Sequence, residues 1–171
     1  EAKNKIDSGN LIIGTIDTWL IWNLSKGSSH STDVTNASRT MLYNIKEDVW
    51  DKDLLKILNI DSSLLPNVKN SCDDFGLIDK SFFGSSILIG GVAGDQQSAS
   101  IGQLCFKEGM IKSTYGTGCF VLMNTGAKKM VSQSNLLATT AYKLDMNKSF
   151  ALEGSIFNAG TVVQWMRDEL N

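Results

Sequence analysis

Proline occurs once in 171 residues, histidine once, and cysteine three times with no close-spaced pair. Each scarcity removes a class of function. Cys72, Cys105 and Cys119 are odd in number and far apart, which argues against a disulfide framework or a zinc site and fits a reducing compartment, the cytoplasm. The sole histidine, His30, lies in the polar segment 28–31. A Ser-His-Asp triad would have to route through a loop, and that chemistry is discounted. A net charge of −2 gives neither a basic surface for nucleic acid nor a strong acidic field. No apolar run approaches the roughly 20 residues of a membrane helix, and the polar opening Glu1-Ala2-Lys3-Asn4-Lys5 is not a signal peptide. Internal repeats are absent, and so is a glycine-rich loop ending in Gly-Lys-Ser/Thr, which excludes a P-loop.

What is present is an ordinary globular mixture, 42% hydrophobic and 20% charged, enough for one sizeable core or two small ones. The first residue is not methionine and residues 165–170 read as a helix cut off in mid-course, both expected of a piece of a longer chain. Residues 11–16 are apolar and β-branched and predict a buried strand. Asp17 is then an N-cap, with a short helix over residues 18–24 and a turn at Lys26-Gly27-Ser28-Ser29. The polar run of residues 32–40 reads as surface loop. Its Arg39 could serve a phosphate or carboxylate through its two-pronged guanidinium. Leu54, Leu55 and Leu58 predict a helix over residues 51–58 with Asp51 as its cap. Residues 75–78 read as a short strand and residues 81–85 as a Gly/Ser turn.

The most informative stretch is Ile89-Gly90-Gly91-Val92-Ala93-Gly94-Asp95-Gln96-Gln97. Small and β-branched residues 85–92 predict a buried strand, whose C-terminal end delivers a carboxylate and an amide where open α/β sheets bind ligands. On spacing alone, Asp95 at that junction reads first as a helix cap. Further on, residues 110–115 and 120–124 form two strand-like runs joined by Gly116-Thr117-Gly118, a hairpin whose tip is either plain turn chemistry or a concavity of backbone N–H groups suited to phosphate. A second hairpin is expected around Asp145-Met146-Asn147-Lys148. Asn158 is a plausible cap for a helix with Val162, Val163, Met166 and Leu170 on one face. Gly160 in its first turn costs about 1 kcal/mol relative to Ala, a cost tolerable where a flat or charged ligand approaches the helix N-terminus.

Five motifs in order carry a resemblance: Gly14-Thr15-Ile16-Asp17-Thr18-Trp19, Thr32-Asp33-Val34-Thr35-Asn36-Ala37-Ser38-Arg39-Thr40, Ala93-Gly94-Asp95-Gln96-Gln97, Ser113-Thr114-Tyr115-Gly116-Thr117-Gly118-Cys119-Phe120, and Ala151-Leu152-Glu153-Gly154. Over essentially its whole length the chain resembles the FGGY carbohydrate kinases, and within them the branch that phosphorylates glycerol. The resemblance implies an α/β, actin-like ATPase (ribonuclease H-like) fold. Residues 1–93 would be the second half of the first lobe and residues 94–171 the start of the second. It implies ATP and Mg2+ as cofactors and sn-glycerol 3-phosphate and ADP as products.

Carried over to this sequence, the resemblance makes Asp95 the base that accepts the proton of the attacking hydroxyl and places it near the magnesium, with water as a possible bridge. It sets Gln96 on the glycerol hydroxyls and Phe120 on the glycerol carbons. Gly116 and Thr117 fall on the ATP phosphates, and Gly160 and Gln164 match nucleotide contacts. Asp17, Asn36 and Arg39 belong to family motifs and are expected to be structural. The family's early phosphate hairpin, the Arg-Glu pair of its glycerol pocket and its late adenine-holding segment have no counterpart here, so the segment by itself is expected to be inactive. A homo-oligomer is implied for the intact enzyme. The alternatives are a xylulose, gluconate or erythritol kinase of the same fold, or a non-catalytic actin-like nucleotide-binding scaffold.

Overall fold

The computed structural model describes residues 5–6 and 10–170. The polar opening at residues 1–5 therefore lies largely outside the described residues. The chain divides into two compact units. The first runs to Ala93 and also takes Tyr142–Met146; the second holds Gly94–Ala141 and the residues from Asn147 onward.

In the first unit, α1 (Ile16–Leu24) leads to β1 (Ser31–Asp33), which pairs in parallel with β4 (Asn67–Lys69) in the register Thr32↔Val68. A parallel pair needs a long crossover. Here it contains α2 (Val34–Ala37), the hairpin of β2 (Tyr43–Asn44) and β3 (Val49–Trp50), α3 (Lys52–Ile57) and a single 3-10 turn, Ser62–Leu64. Asp51 caps α3 as expected, accepting from the Asp53 and Leu54 N–H groups. Tyr43 and Trp50 meet edge to face across the hairpin, and the Trp50 indole donates to the Pro66 carbonyl at 3.0 Å. The core collects Ile21, Val34, Ala37, Tyr43, Leu55, Leu64 and Phe75. A last hairpin, β5 (Leu77–Ile78) with β6 (Ile87–Leu88), encloses α4 (Lys80–Phe83).

Several expectations for this unit are corrected. Residues 11–16 form no strand, because a strand exists only through a ladder. The backbone there makes one bond of that kind, Ile13 N–H to the Leu64 carbonyl. The α1 helix begins one residue before Asp17, at Ile16, with Thr15 in the cap position, and the Asp17 carboxylate instead accepts from the Thr15 and Thr32 hydroxyls. The run 32–40 is no surface loop: Thr32, Asp33, Val34, Thr35 and Ala37 are at most 2% exposed. Their polar groups are tolerated inside because Asp33 gathers them. The Asp33 carboxylate accepts from the Thr35 and Asn36 N–H groups, the Thr35 hydroxyl, the Asn36 amide and the Ser71 hydroxyl. Residues 81–85 are not a plain turn, since Asp79 caps α4 and Gly84 ends it at φ 79°. The buried strand expected over residues 85–92 shrinks to the exposed pair Ile87–Leu88, which no described element covers.

The second unit opens with α5 (Asp95–Gly102) and builds a sheet of β7 (Ile111–Tyr115), β8 (Cys119–Gly126), β9 (Leu137–Leu144) and β10 (Asn147–Ile156) in the order β7-β8-β10-β9. Both expected hairpins form. The helix α6 (Gly160–Glu169) follows. Strand periodicity sorts the sheet's faces. Lys112, Leu122, Asn124, Ala151 and Glu153 point to one side and are buried, and α5 packs against β7 and β8, the strands of the first three. Ile111, Val121 and Ile156 point to the other and remain exposed along an apolar groove of about 420 Å³.

Candidate functional site

Gly94 is extended (φ −60°, ψ 150°) and occupies the N-cap position of α5 without a side chain to offer. Asp95 is thus the first helical residue rather than the cap. It still does part of a cap's work, because its Oδ1 accepts the Gln96 N–H at 2.8 Å, and an acidic group in the first turn is favoured by the helix dipole. Asp95 remains exposed, so its carboxylate stays accessible to a ligand. The two glutamines that follow diverge. Gln97 is 2% exposed and donates its Nε2 to the Thr140 carbonyl at 3.3 Å, pinning α5 to β9. Gln96 is half-buried, and its Oε1 accepts from the Lys112 ammonium.

Lys112 and Glu153 went unnoticed in the sequence as site residues. A lone lysine in the run Ile111-Lys112-Ser113 reads as a solvent-facing strand position, yet it is 1% exposed. The register Lys112↔Leu122↔Glu153 places lysine and glutamate in one cross-strand row, flanking Leu122 on the α5 side of the sheet. Burial pushes the Lys112 ammonium below the usual lysine value, and the negative charges of Asp95 and Glu153 oppose that fall. The signal that could have found Lys112 is the alternation itself, which puts it in phase with Leu122 once the hairpin pairing is fixed.

The Gly116-Thr117-Gly118 tip forms a second group. The Gly116 N–H donates to the Gly118 carbonyl at 2.9 Å, closing the turn. Two of its carbonyls take the first N–H groups of α6: Ala159 donates to Thr117 O at 2.8 Å and Gly160 to Gly116 O at 3.0 Å. A helix N-terminus leaves such donors without internal partners, and here the hairpin supplies them. Asn158, the expected cap, has Ala159 in its place, and its amide oxygen accepts from the Thr161 hydroxyl at 3.4 Å. Gly160 has an internal reason to be glycine, since a Cβ there would lie 2.4 Å from the Gly116 oxygen. Gln164 is exposed one turn further along α6. Phe120 is half-buried on β8, opposite Thr114 and Ser155. Asp95 with Gln96, and the tip with Gly160, are therefore two preorganised groups held by separate bonds within one unit.

In the first unit, Asp17 and Asn36 are tied into internal bonds, the former from Thr32 at 2.6 Å and the latter to Asp33 at 2.9 Å. Arg39 is exposed. Burial raises the Asp33 carboxyl above its usual value despite the donors around it. The His30 Nε2 lies 2.9 Å from the Ile13 carbonyl oxygen, a backbone partner. Among the described residues no three His, Cys, Asp or Glu converge to hold a metal ion. Magnesium commonly takes one or two carboxylates and completes its shell with water and substrate phosphate. The single exposed carboxylate of Asp95 fits an ion that arrives with a nucleotide. No helix among the described residues is long and apolar enough to cross a membrane.

Residues 1–102 match the N-terminal domain of the FGGY family of carbohydrate kinases, and residues 111–171 match its C-terminal domain. A glycerol kinase from Allorhizobium ampelinum is 57% identical over 99% of this chain, as is glycerol kinase 1 from Clostridium tetani. Among solved structures, Plasmodium falciparum glycerol kinase with ADP superposes with a TM-score of 0.92 at 48% identity, over 99% of this chain and 34% of that one. Gluconate kinase from Lactobacillus acidophilus gives 0.78 at 25% identity, over 92% of this chain and 32% of that one. The chain spans about a third of the curated relatives it matches, 34% of each of the two glycerol kinases named first. These structural relatives have the actin-like ATPase fold, and the mixed α/β architecture described above is a section of it.

Proposed function

The chain belongs to the FGGY family of carbohydrate kinases, and on that premise we propose that it forms part of a kinase transferring the terminal phosphoryl group of ATP to glycerol, with sn-glycerol 3-phosphate and ADP as products. Identity of 48% to a solved glycerol kinase, against 25% to a solved gluconate kinase, favours glycerol over a sugar acid. The ADP named with the Plasmodium falciparum structure supports an adenine nucleotide as donor. The observation that carries the chemistry is the exposed Asp95 carboxylate, followed in the first turn of α5 by the Gln96 amide anchored on Lys112.

Phosphoryl transfer depends on positioning and charge stabilisation. Asp95 would hold the terminal O–H of glycerol and accept its proton as the oxygen attacks the γ-phosphorus. Gln96 would bind a hydroxyl, and Phe120 would pack on the carbon chain. Gly116 and Thr117 would meet the polyphosphate, with Gly160 and Gln164 on the nucleotide side. Bound near Asp95, Mg2+ would supply positive charge to the transferring phosphoryl group. In this reading residues 1–93 belong to the first lobe of the kinase and residues 94–171 to the second. The intact enzyme would be a cytoplasmic homo-oligomer.

Asp95→Asn in the full-length protein tests the assignment. Glycerol affinity should stay within about tenfold while kcat falls by about 10² or more, the span of general acid–base work. An unchanged kcat would reduce Asp95 to a first-turn helix residue. A coupled assay over polyols and ketoses checks the substrate, and a preference for a five-carbon ketose would remove glycerol.

A further inference from the structure

A buried lysine needs a reason, and Lys112 is 1% exposed in the middle of a β-strand. Its ammonium reaches the amide of Gln96, the half-buried second residue of α5. An ammonium carries donors only, whereas a glutamine amide has one acceptor oxygen and one donor nitrogen. The contact therefore decides which way the amide faces, a choice that is otherwise ambiguous for glutamine. Oε1 is held on the lysine, and Nε2 is left as the end available to a ligand. Asp95, the residue before Gln96 in the first turn of α5, lies near enough to Lys112 for its charge to act on the same ammonium; its carboxylate is exposed and, when ionised, able only to accept.

We propose that Lys112 is a positioning residue that fixes Gln96 as a hydrogen-bond donor, so that Asp95 and Gln96 together form an acceptor–donor pair matched to the hydroxyls of a polyol. An alcohol needs both: its O–H donates to the carboxylate, and an oxygen of the same or the neighbouring hydroxyl accepts from Nε2. With a neutral apolar side chain at position 112 the amide is free to turn over. Oε1 then stands beside the Asp95 carboxylate, and two acceptors repel the hydroxyl oxygen they should hold. Lys112 also places a buried positive charge among Asp95 and Glu153, the two carboxylates that act on it. The inference rests on the reading of Asp95 and Gln96 as the polyol site. It adds that the donor sense of Gln96 is imposed from beneath by the sheet.

The test is a double-mutant cycle in the full-length protein, with Lys112→Met, Gln96→Ala and the pair combined. Lys112→Met should raise the KM for glycerol about tenfold, the scale of one well-placed hydrogen bond, while the KM for ATP stays within about twofold. Lys112→Arg, which keeps a donor at the end of a long side chain, should recover most of the loss. The pair should be no worse than Gln96→Ala alone, because the lysine acts through the amide. Additive losses, or equal losses for glycerol and ATP, would make Lys112 a merely structural residue and overturn the proposal. Gln96→Glu guards against a misfolded Lys112→Met. It keeps an oxygen for Lys112 but removes the Nε2 donor, so it should match Gln96→Ala in glycerol KM at wild-type thermal stability, and a wild-type KM overturns the proposal. A second readout is independent of turnover: the Gln96 side-chain amide NMR signals, identified by their loss in Gln96→Ala, should shift in Lys112→Arg. Unshifted signals overturn the proposal. Failure of the wild-type protein to phosphorylate glycerol would refute the substrate reading instead and would leave the amide signals as the measure of Lys112.

Discussion

Replacing Gly160 with alanine should destabilise the second unit, against the usual expectation for a glycine in a helix. The added methyl would sit 2.4 Å from the Gly116 oxygen and 3.2 Å from its carbonyl carbon. A carbon and a carbonyl oxygen settle at about 3.3 Å or more, so the tip must retreat by roughly 0.9 Å. That movement pulls on two short backbone bonds, Gly160 N–H to Gly116 O at 3.0 Å and Ala159 N–H to Thr117 O at 2.8 Å. Losing them costs about 1 kcal/mol each, and residual crowding adds about 1 kcal/mol or more. The helix preference for alanine returns at most about 1 kcal/mol. The net is a loss of about 2 kcal/mol.

The control is Gly102→Ala at the last residue of α5, where an added Cβ meets nothing within 4 Å. By reducing the freedom of the unfolded chain it should stabilise by about 0.4–1 kcal/mol. Denaturant midpoints of the two variants of the full-length protein, measured side by side, should therefore move in opposite directions. The displaced tip should also raise the KM for ATP about tenfold, as positioning losses of this size do. A Gly160→Ala variant as stable as Gly102→Ala would refute the claim that the tip is packed against α6.

Asp33→Asn replaces an acceptor of five donors with a group that presents one acceptor and a surplus N–H, and should cost about 2–4 kcal/mol. Burial raises the folded carboxyl above 3.8, so the folded chain holds this proton more tightly than the unfolded one, and this group's contribution declines as pH rises through the window above 3.8. The stability gap between wild type and Asp33→Asn should therefore widen on acidification through that window, and a gap that narrows would contradict the raised value. Lys143→Met removes an ion pair of 2.9 Å to Asp48 whose groups are about a quarter exposed, and should cost about 1 kcal/mol by thermal melting. No change in melting would mark the pair as neutral.

Local chemistry was legible where the chain carries its own punctuation. Asp51, the Gly-bearing hairpin tip and the turn at Asp145-Met146 each state their conformation through residues a few positions apart. The misreadings share a different cause, which is that burial and pairing depend on partners distant in sequence. Residues 11–16 and 85–92 look like strands by composition, but a strand requires a neighbour. The run 32–40 looked like a loop because it is polar, and only the donors converging on Asp33 make its burial tolerable. Ser71 shows why no local pattern could reveal this. Its hydroxyl serves Asp33, its N–H reaches the Lys143 carbonyl at 2.8 Å, and its own carbonyl takes the Val92 N–H at 2.9 Å. Lys112 was hidden for the same reason. Its meaning lies in the pairing with Leu122 and in the amide sixteen residues earlier.

The sequence offers two explanations for the hairpin tip, turn chemistry and a phosphate cradle, and the bonds to α6 are compatible with both at once. A trans peptide is planar, with its C=O and N–H pointing in opposite directions. No peptide bond among the described residues is cis. Because the Gly116 and Thr117 carbonyls are committed to α6, the N–H groups of Thr117 and Gly118, on the far side of the same two peptide planes, are turned away from the helix. Two successive N–H groups facing outward from a tight turn are the arrangement that holds a phosphate oxygen. The cap on α6 and the donors proposed for a polyphosphate would then be opposite faces of the same two amides. A perturbation that loosens the cap, such as the methyl at position 160, should rotate those donors and weaken ATP binding without touching any ligand atom.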